Sequence, residues 1–166
     1  MRTISDRFMV EPAKFWHADV DAWRDLIDTN VNGPFLMARA AVVPMLAAGW
    51  GRIINISMNH ETMRRAGFSP YGPSKAALES ATAIWAQDLA GTGVTVNALL
   101  PGGATRTGMI PSGLPDHILA ALLDPAIIVP PLLYLASEKS DGITGRRFVG
   151  TGWPTAEPAG WAVPIR

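Results

Sequence analysis

The sequence predicts one α/β domain, with a parallel sheet and helices against its faces. Three observations carry this expectation. Two short apolar runs, 51–57 and 94–100, have the length and β-branched content of buried strands. Longer helical patterns over 20–48 and 74–89 precede and separate them, closed by glycines at 49 and 91. Strands alternating with helices make βαβ units joined by right-handed crossovers. In such sheets ligands bind beyond the carboxyl ends of the strands, here the loops after Ser57 and from Pro101.

Taken in order, residues 1–18 read as an irregular lead-in with scattered Phe8, Phe15 and Trp16. Asp19 suits an N-cap, and Trp23, Leu26, Ile27, Phe35, Leu36, Val42, Val43 and Leu46 continue a helical pattern. Pro34 and Pro44 fall inside it, so this helix is expected to kink or break. Gly51 to Ser57 is a strand, and 58–70 a polar loop. The helix at 74–89 starts near Pro73 and is rich in alanine, which permits close packing. Val94 to Leu100 is a second strand, ended by Pro101-Gly102-Gly103. Residues 104–125 read as a loop with one short helix, 126–137 as another, 146–149 as a last strand and 151–166 as an irregular tail. No internal repeat divides the 166 residues, which read as one domain, 1–166.

Composition excludes several functions. Fourteen basic and fourteen acidic side chains cancel, so there is no basic excess to coat a nucleic acid. The absence of cysteine removes disulfides, thiol nucleophiles and thiolate zinc sites. Three histidines with no His-x-x-x-His pair speak against a zinc hydrolase, and no metal site is expected. The longest apolar run, 126–136, is broken by Pro130-Pro131 and falls short of the ~20 residues of a membrane span. With no apolar signal core at the start, a cytoplasmic protein without a membrane partner is expected.

The sharpest chemical signal is Tyr71-Gly-Pro-Ser-Lys75. Residues four apart at a helix start share a face. A free phenol, with a pKa of about 10, is a poor acid–base catalyst at neutral pH, and a nearby cation favours the phenolate. A Tyr-x-x-x-Lys pair therefore suits a tuned proton donor, although a tyrosine at a helix start also serves packing alone.

Four segments, in this order, resemble the short-chain dehydrogenase/reductase family. They are Asn30-Val-Asn-Gly-Pro-Phe35, Gly51-Arg-Ile-Ile-Asn-Ile-Ser57, Tyr71-Gly-Pro-Ser-Lys-Ala-Ala-Leu78 and Gly93-Val-Thr-Val-Asn97 running into Pro101-Gly102. The resemblance implies the second half of a doubly wound, Rossmann-type parallel sheet. It implies hydride transfer between NAD or NADP and a small-molecule carbonyl/alcohol pair. Tyr71 would be the general acid/base, and Lys75 would lower its pKa and hold the nicotinamide ribose. Asn30 would anchor a water in a proton relay. Pro101, Gly102 and Thr107 would line the nicotinamide, with Thr105 a competitor for the Thr107 role. The helices at 20–48 and 74–90 would form a homo-oligomer interface. Asn30 has an argument of its own: Pro34 lacks an N–H, so the carbonyl of residue 30 loses its helical partner.

Two departures stand out. Met58 occupies the position of the family's active-site serine, thirteen residues before the tyrosine. The adjacent Ser57 is the candidate replacement, with Asn59 and Thr62 behind it. Met58, Met63 and Phe68 are candidates for an apolar substrate pocket, with plain packing the competing reading. The second departure is larger. No Gly-x-x-x-Gly-x-Gly turn, which would hold the cofactor pyrophosphate, occurs anywhere in the sequence. The chain therefore reads as the carboxyl-terminal part of the fold, with an exposed edge at strand 51–57. A non-catalytic remnant that acts through oligomerisation, or by joining a full-length relative, is the alternative function. His60 is read as a solvated loop residue, and Arg146-Arg147 as surface.

Overall fold

The computed structural model describes residues 14–154 and the backbone of 156–158. Phe8, the rest of the lead-in before 14, and residues 155 and 159–166 of the tail lie outside them. A 3₁₀ turn at Phe15–His17 precedes α1, Val20–Ile27, whose N-cap Asp19 accepts a hydrogen bond from the Ala22 N–H at 2.8 Å.

The expected break in the long helix takes the form of a π turn, Asp28–Asn32, leading into α2, Gly33–Ala48. The Gly33 N–H reaches back five residues to the Asp28 carbonyl, and Pro34 sits in the first turn of α2. Such a wide turn absorbs the missing proline donor without ending the helical path. Gly49, with φ of +63°, then closes α2 in the left-handed conformation. By length and composition alone, Val20–Ala48 would pass as a membrane span. In this structure the π turn packs on the later helix Tyr71–Asp88, and α2 on the strand Gly51–Ile56.

The sheet has four strands in the order β1 (Gly51–Ile56), β2 (Val94–Leu100), β3 (Arg146–Val149) and β4 (Ala156–Pro158). β1, β2 and β3 are parallel, with Ile56 opposite Leu99 and Leu99 opposite Phe148. β4 is a correction to the reading of 151–166 as irregular: it pairs antiparallel with β3, Arg146 opposite Pro158. Among the described residues β1 is an edge strand, as expected.

Residues 58–70 are not simply a polar loop. They contain a short helix α3, His60–Met63, and bury Met63 and Phe68. Helix α4, Tyr71–Asp88, begins two residues before Pro73 and so takes Tyr71 into its first turn. The close approach of α3 and α4 requires glycine at position 72, where a Cβ would meet the Met63 carbonyl oxygen at 2.0 Å. Beyond β2 come α5 (Asp116–Ala120), a 3₁₀ turn at Pro125–Ile128, and α6 (Val129–Leu135).

Every residue of β2 is buried, as befits the middle of a sheet covered on both faces. One face carries Leu99 and Phe148 against Leu135 of α6, joined by Ile54, Ile128 and Trp153. On the other, β1 meets α4, where Asn55 Nδ2 donates to Thr82 Oγ1 at 2.8 Å.

Candidate active site at the strand carboxyl ends

The π turn, the first turn of α4 and the end of β1 bring three predicted residues together. Asn30 Nδ2 donates to Ser74 Oγ at 3.1 Å, and Ser74 Oγ donates to the Tyr71 carbonyl at 2.7 Å. Lys75 Nζ donates to the carbonyl of Ile56, the last residue of β1, at 2.9 Å and lies 5.7 Å from the Tyr71 ring centroid. Ser74, which the sequence reading passed over, is the tie between the Asn30 turn and the Tyr71 turn. Its place next to Lys75 in the first turn of the helix was the available signal, and the structure buries it.

The electrostatics differ from expectation. Burial pushes the Tyr71 phenol above its ordinary value and the Lys75 ammonium below its own. The expected lowering of the phenol by Lys75 is not realised, because desolvation dominates at both groups. The ammonium spends a hydrogen bond on Ile56 and stands beside the ring.

Ser57 requires a correction. Its hydroxyl donates to Glu79 Oε1 at 2.5 Å in a buried cluster on the α4 face of the sheet. Arg147 Nε donates to the same oxygen at 3.0 Å, and His60 Nε2 lies 2.9 Å from Glu79 Oε2. Glu79 is 2% and Arg147 4% exposed, so this is a buried charge pair with its oxygens occupied. Ser57 is thus engaged in the network rather than aimed beyond the sheet. His60 is not a solvated loop residue, nor is Arg147 a surface one; only Arg146 of that pair is exposed. The signal that was missed is a carboxylate in the middle of an alanine-rich helix and an arginine flanking Phe148 in a strand.

The network also fixes the loop after β1. Arg147 Nη2 donates to the Met58 carbonyl at 2.8 Å, and Asn59 Nδ2 donates to the Gly102 carbonyl at 3.0 Å. Met58 is half-buried beside this anchored backbone. Met63 and Phe68 are buried at 4% and 5%, packed under the start of α4, so they leave little surface for a substrate and the packing reading holds for them.

The loop after β2 holds the remaining candidates. The Thr151 N–H donates to the Pro101 carbonyl at 3.1 Å, and Gly102 has φ of +101°. A Cβ at Gly102 would strike Thr151 Oγ1 at 2.1 Å, so only glycine carries the chain through this crossing. Thr105 bonds back to the Gly103 carbonyl at 3.1 Å and bridges to Leu123. Thr107 is exposed and opens onto a cavity of about 500 Å³, shared with Arg106, Ile110, Leu119 and Leu122. Of the two threonines, Thr107 is the one that lines this cavity. Among the described residues no group of three or more His, Cys, Asp or Glu could hold a metal ion.

Known proteins resemble this chain in sequence and fold. The chain is 33% identical over 136 residues to a 3-alpha-(or 20-beta)-hydroxysteroid dehydrogenase of Mycobacterium tuberculosis, covering 81% of this chain and 52% of that protein. It is 33% identical over 144 residues to the human (3R)-3-hydroxyacyl-CoA dehydrogenase, covering 82% of this chain and 55% of that protein. The chain thus spans about half the length of the curated relatives it matches. Among solved structures, a gluconate 5-dehydrogenase from Burkholderia cenocepacia, in complex with NADP and tartrate, superposes with a TM-score of 0.73. It is 26% identical and covers 84% of this chain and 58% of its own. A short chain dehydrogenase/reductase family protein reaches a TM-score of 0.71 at 37% identity, covering 82% and 60%. The sequence profile of the short chain dehydrogenases matches residues 9–116, from the lead-in through Tyr71, Lys75 and the Pro101 loop. With the parallel sheet, the π turn at Asn30 and the Tyr71–Lys75 turn at its carboxyl edge, the chain belongs to the short chain dehydrogenase family.

Proposed function

We propose that this chain carries the catalytic half of an oxidoreductase that moves hydride between NAD or NADP and a carbonyl/alcohol pair. The single observation behind this reading is the convergence of Asn30, Tyr71 and Lys75 on the end of β1, linked through Ser74. The nicotinamide, when bound, supplies or accepts the hydride. Thr107, exposed on its cavity beyond the Pro101–Gly102 turn, is the group this loop offers to that end of the cofactor. For the pyrophosphate end the sequence offers no glycine-rich turn.

The residues divide the remaining work. Tyr71 holds a proton at Oη for the substrate oxygen as the hydride reaches carbon. Burial raises its pKa, so without cofactor the phenol is protonated and a weak acid at neutral pH, and the Lys75 cation near its ring is the group that would ease the proton toward the substrate oxygen. Lys75 offers a cation beside the ring and ammonium protons for ribose hydroxyls. Asn30 marks the turn where a relay water sits. The cavity beside Thr107, with Ile110, Leu119 and Leu122, suits a small or apolar carbonyl compound. Two copies pair through the exposed apolar residues Phe35, Leu36 and Met37 of α2 and Ile84 of α4.

The test is a titration of the purified chain with NADH and NADPH, followed through its six tryptophans. Saturable micromolar binding is expected, with Tyr71→Phe retaining binding and losing turnover. Absence of binding at millimolar cofactor overturns a stand-alone enzyme and leaves the association partner.

A further inference from the structure

The cavity of about 500 Å³ beside Thr107 is walled by Ile110, Pro111, Leu119 and Leu122, and among the described residues no carboxylate lines it. Arg106 is the charged residue on it. The backbone there is pinned to the chain beyond α5. The Arg106 N–H donates to the Leu123 carbonyl at 3.0 Å, and the Leu123 N–H donates to the Ala104 carbonyl at 2.9 Å. The guanidinium is engaged far less. Its Nη2 donates to the Leu119 carbonyl at 3.5 Å, a long bond, and among the described residues no ion pair occupies it. A guanidinium presents a planar fork of N–H donors, and most of this one stays open toward an apolar space.

We propose that this cavity takes a carbonyl compound with an apolar chain and a carboxylate, and that the Arg106 guanidinium holds the carboxylate. The carbonyl rests on the hydride-transfer reading above; the carboxylate rests on Arg106 alone. A planar fork meets a carboxylate through two parallel N–H···O bonds. One guanidinium balances the single charge of a carboxylate and leaves a phosphate dianion partly unneutralised. Arg106 and Thr107 are consecutive, their Cα atoms about 3.8 Å apart, so the charge sits beside the group offered to the nicotinamide. That places the carboxylate within a few bonds of the carbonyl, as in a 2-oxo acid, with the alkyl chain against Ile110, Leu119 and Leu122. The carbonyl carbon gains the hydride of NADH or NADPH, its oxygen gains the Tyr71 proton, and Tyr71 regains a proton from water. A 2-hydroxy acid and oxidised cofactor remain.

The main test needs no turnover. The isotopically enriched chain is titrated with 4-methyl-2-oxopentanoate and, separately, with the neutral 4-methyl-2-pentanone, with and without NADP⁺, and the amide shifts of Thr107, Leu119 and Leu122 are followed. The acid is expected to bind at least about tenfold more tightly than the ketone, as a charge-assisted pair of hydrogen bonds supplies. Arg106→Gln brings the two ligands level, and Arg106→Lys recovers part of the preference. Arg106 is exposed, so both variants are expected to keep their dispersed β2 resonances; should Arg106→Gln lose them, Arg106→Met takes its place. Equal affinity for acid and ketone overturns the proposal. So does a preference that survives Arg106→Gln, and so do unshifted resonances with both ligands. Inorganic phosphate that shifts the same amides as strongly overturns it too, since the site then holds any anion. Turnover is read apart, as oxidation of NADH or NADPH with each compound. Selective binding of the acid without turnover keeps the Arg106 site and overturns the hydride-transfer reading. Turnover of the ketone as fast as the acid keeps that reading and overturns Arg106 as its specificity residue.

Discussion

Strand β2 and helix α2 are both apolar, yet all seven residues of β2 are buried and none of the sixteen of α2 is. Composition does not separate them; the number of layers around each does. β2 has a parallel neighbour on each side, α4 against one face and α6 against the other. α2 rests on the sheet along one side and leaves Met37 72% and Val43 67% exposed. The lesson is that apolar sequence states what a segment needs, while neighbours decide whether it gets it. A contiguous apolar surface of this kind marks an interaction face.

Core truncation breaks the comparison most sharply. Leu99→Ala in β2 is expected to cost about 2–5 kcal/mol, because Leu99 is fully enclosed by Leu135 and Phe148. Met37→Ala in α2 is expected to stay within about 0.5 kcal/mol of the parent where the chain is dilute enough to be monomeric, and to cost more where two copies pair. Urea unfolding of both variants under one set of conditions decides it. Equal losses would mean that α2 is covered in solution, and dependence of the Met37→Ala value on protein concentration would identify the cover as another copy.

Comparable in size is the effect of the buried charge. Glu79→Gln leaves the Arg147 guanidinium enclosed without its carboxylate, an imbalance worth about 3–5 kcal/mol. The double variant Glu79→Gln/Arg147→Met removes the orphaned charge and is expected to regain most of that loss in a double-mutant cycle. The loop at Met58–Asn59 is tied to Arg147, so the single variant should also raise hydrogen exchange there, ahead of β2. Smaller still is Ser74→Ala. It cuts the Asn30–Ser74–Tyr71 chain of hydrogen bonds at an expected cost of about 1 kcal/mol, read as a shift in denaturation midpoint.

These sites also show what was legible in the sequence. The strands and the α4 pattern were readable because period and length are local properties, and β1, β2 and β3 fall within a residue of the expected ranges. Tyr71 and Lys75 were readable for the same reason, being one helical turn apart. Glu79, Arg147 and His60 were not, because their meaning lies in pairings across 68 and 19 positions of chain that no spacing rule anticipates. Ser57 was assigned by adjacency to Met58. Strand alternation placed its hydroxyl on the α4 face, where Glu79 was waiting. β4 escaped notice because three residues in a proline-rich stretch carry no periodicity, and its edge partner supplies the reason for the strand.

The finest test concerns Tyr71 and Lys75, half-buried between the two regions compared above. Burial raises the phenol pKa and lowers the ammonium pKa, so the two groups act on stability in opposite directions. Between the unfolded value of about 10 and the higher folded value, the folded chain binds the tyrosine proton more tightly, so the contribution of Tyr71 is full below about 10 and falls as pH rises through its folded pKa. For Lys75 the unfolded chain binds the proton more tightly. Its contribution is full above about 10.4 and is lost as pH falls through the depressed folded value, leaving a burial penalty at neutral pH. Lys75→Met is therefore expected to be at least as stable as the parent at pH 7 despite the lost bond to Ile56, with the difference shrinking as pH approaches 10.4. Absorbance titration at the phenolate band separates the partners, since the chain has only two tyrosines. The Tyr134→Phe variant should show one step displaced above about 10, and Tyr71→Phe should abolish that step. A Tyr71 step below the free-phenol value would mean that the cation, rather than burial, governs the pair before any cofactor binds.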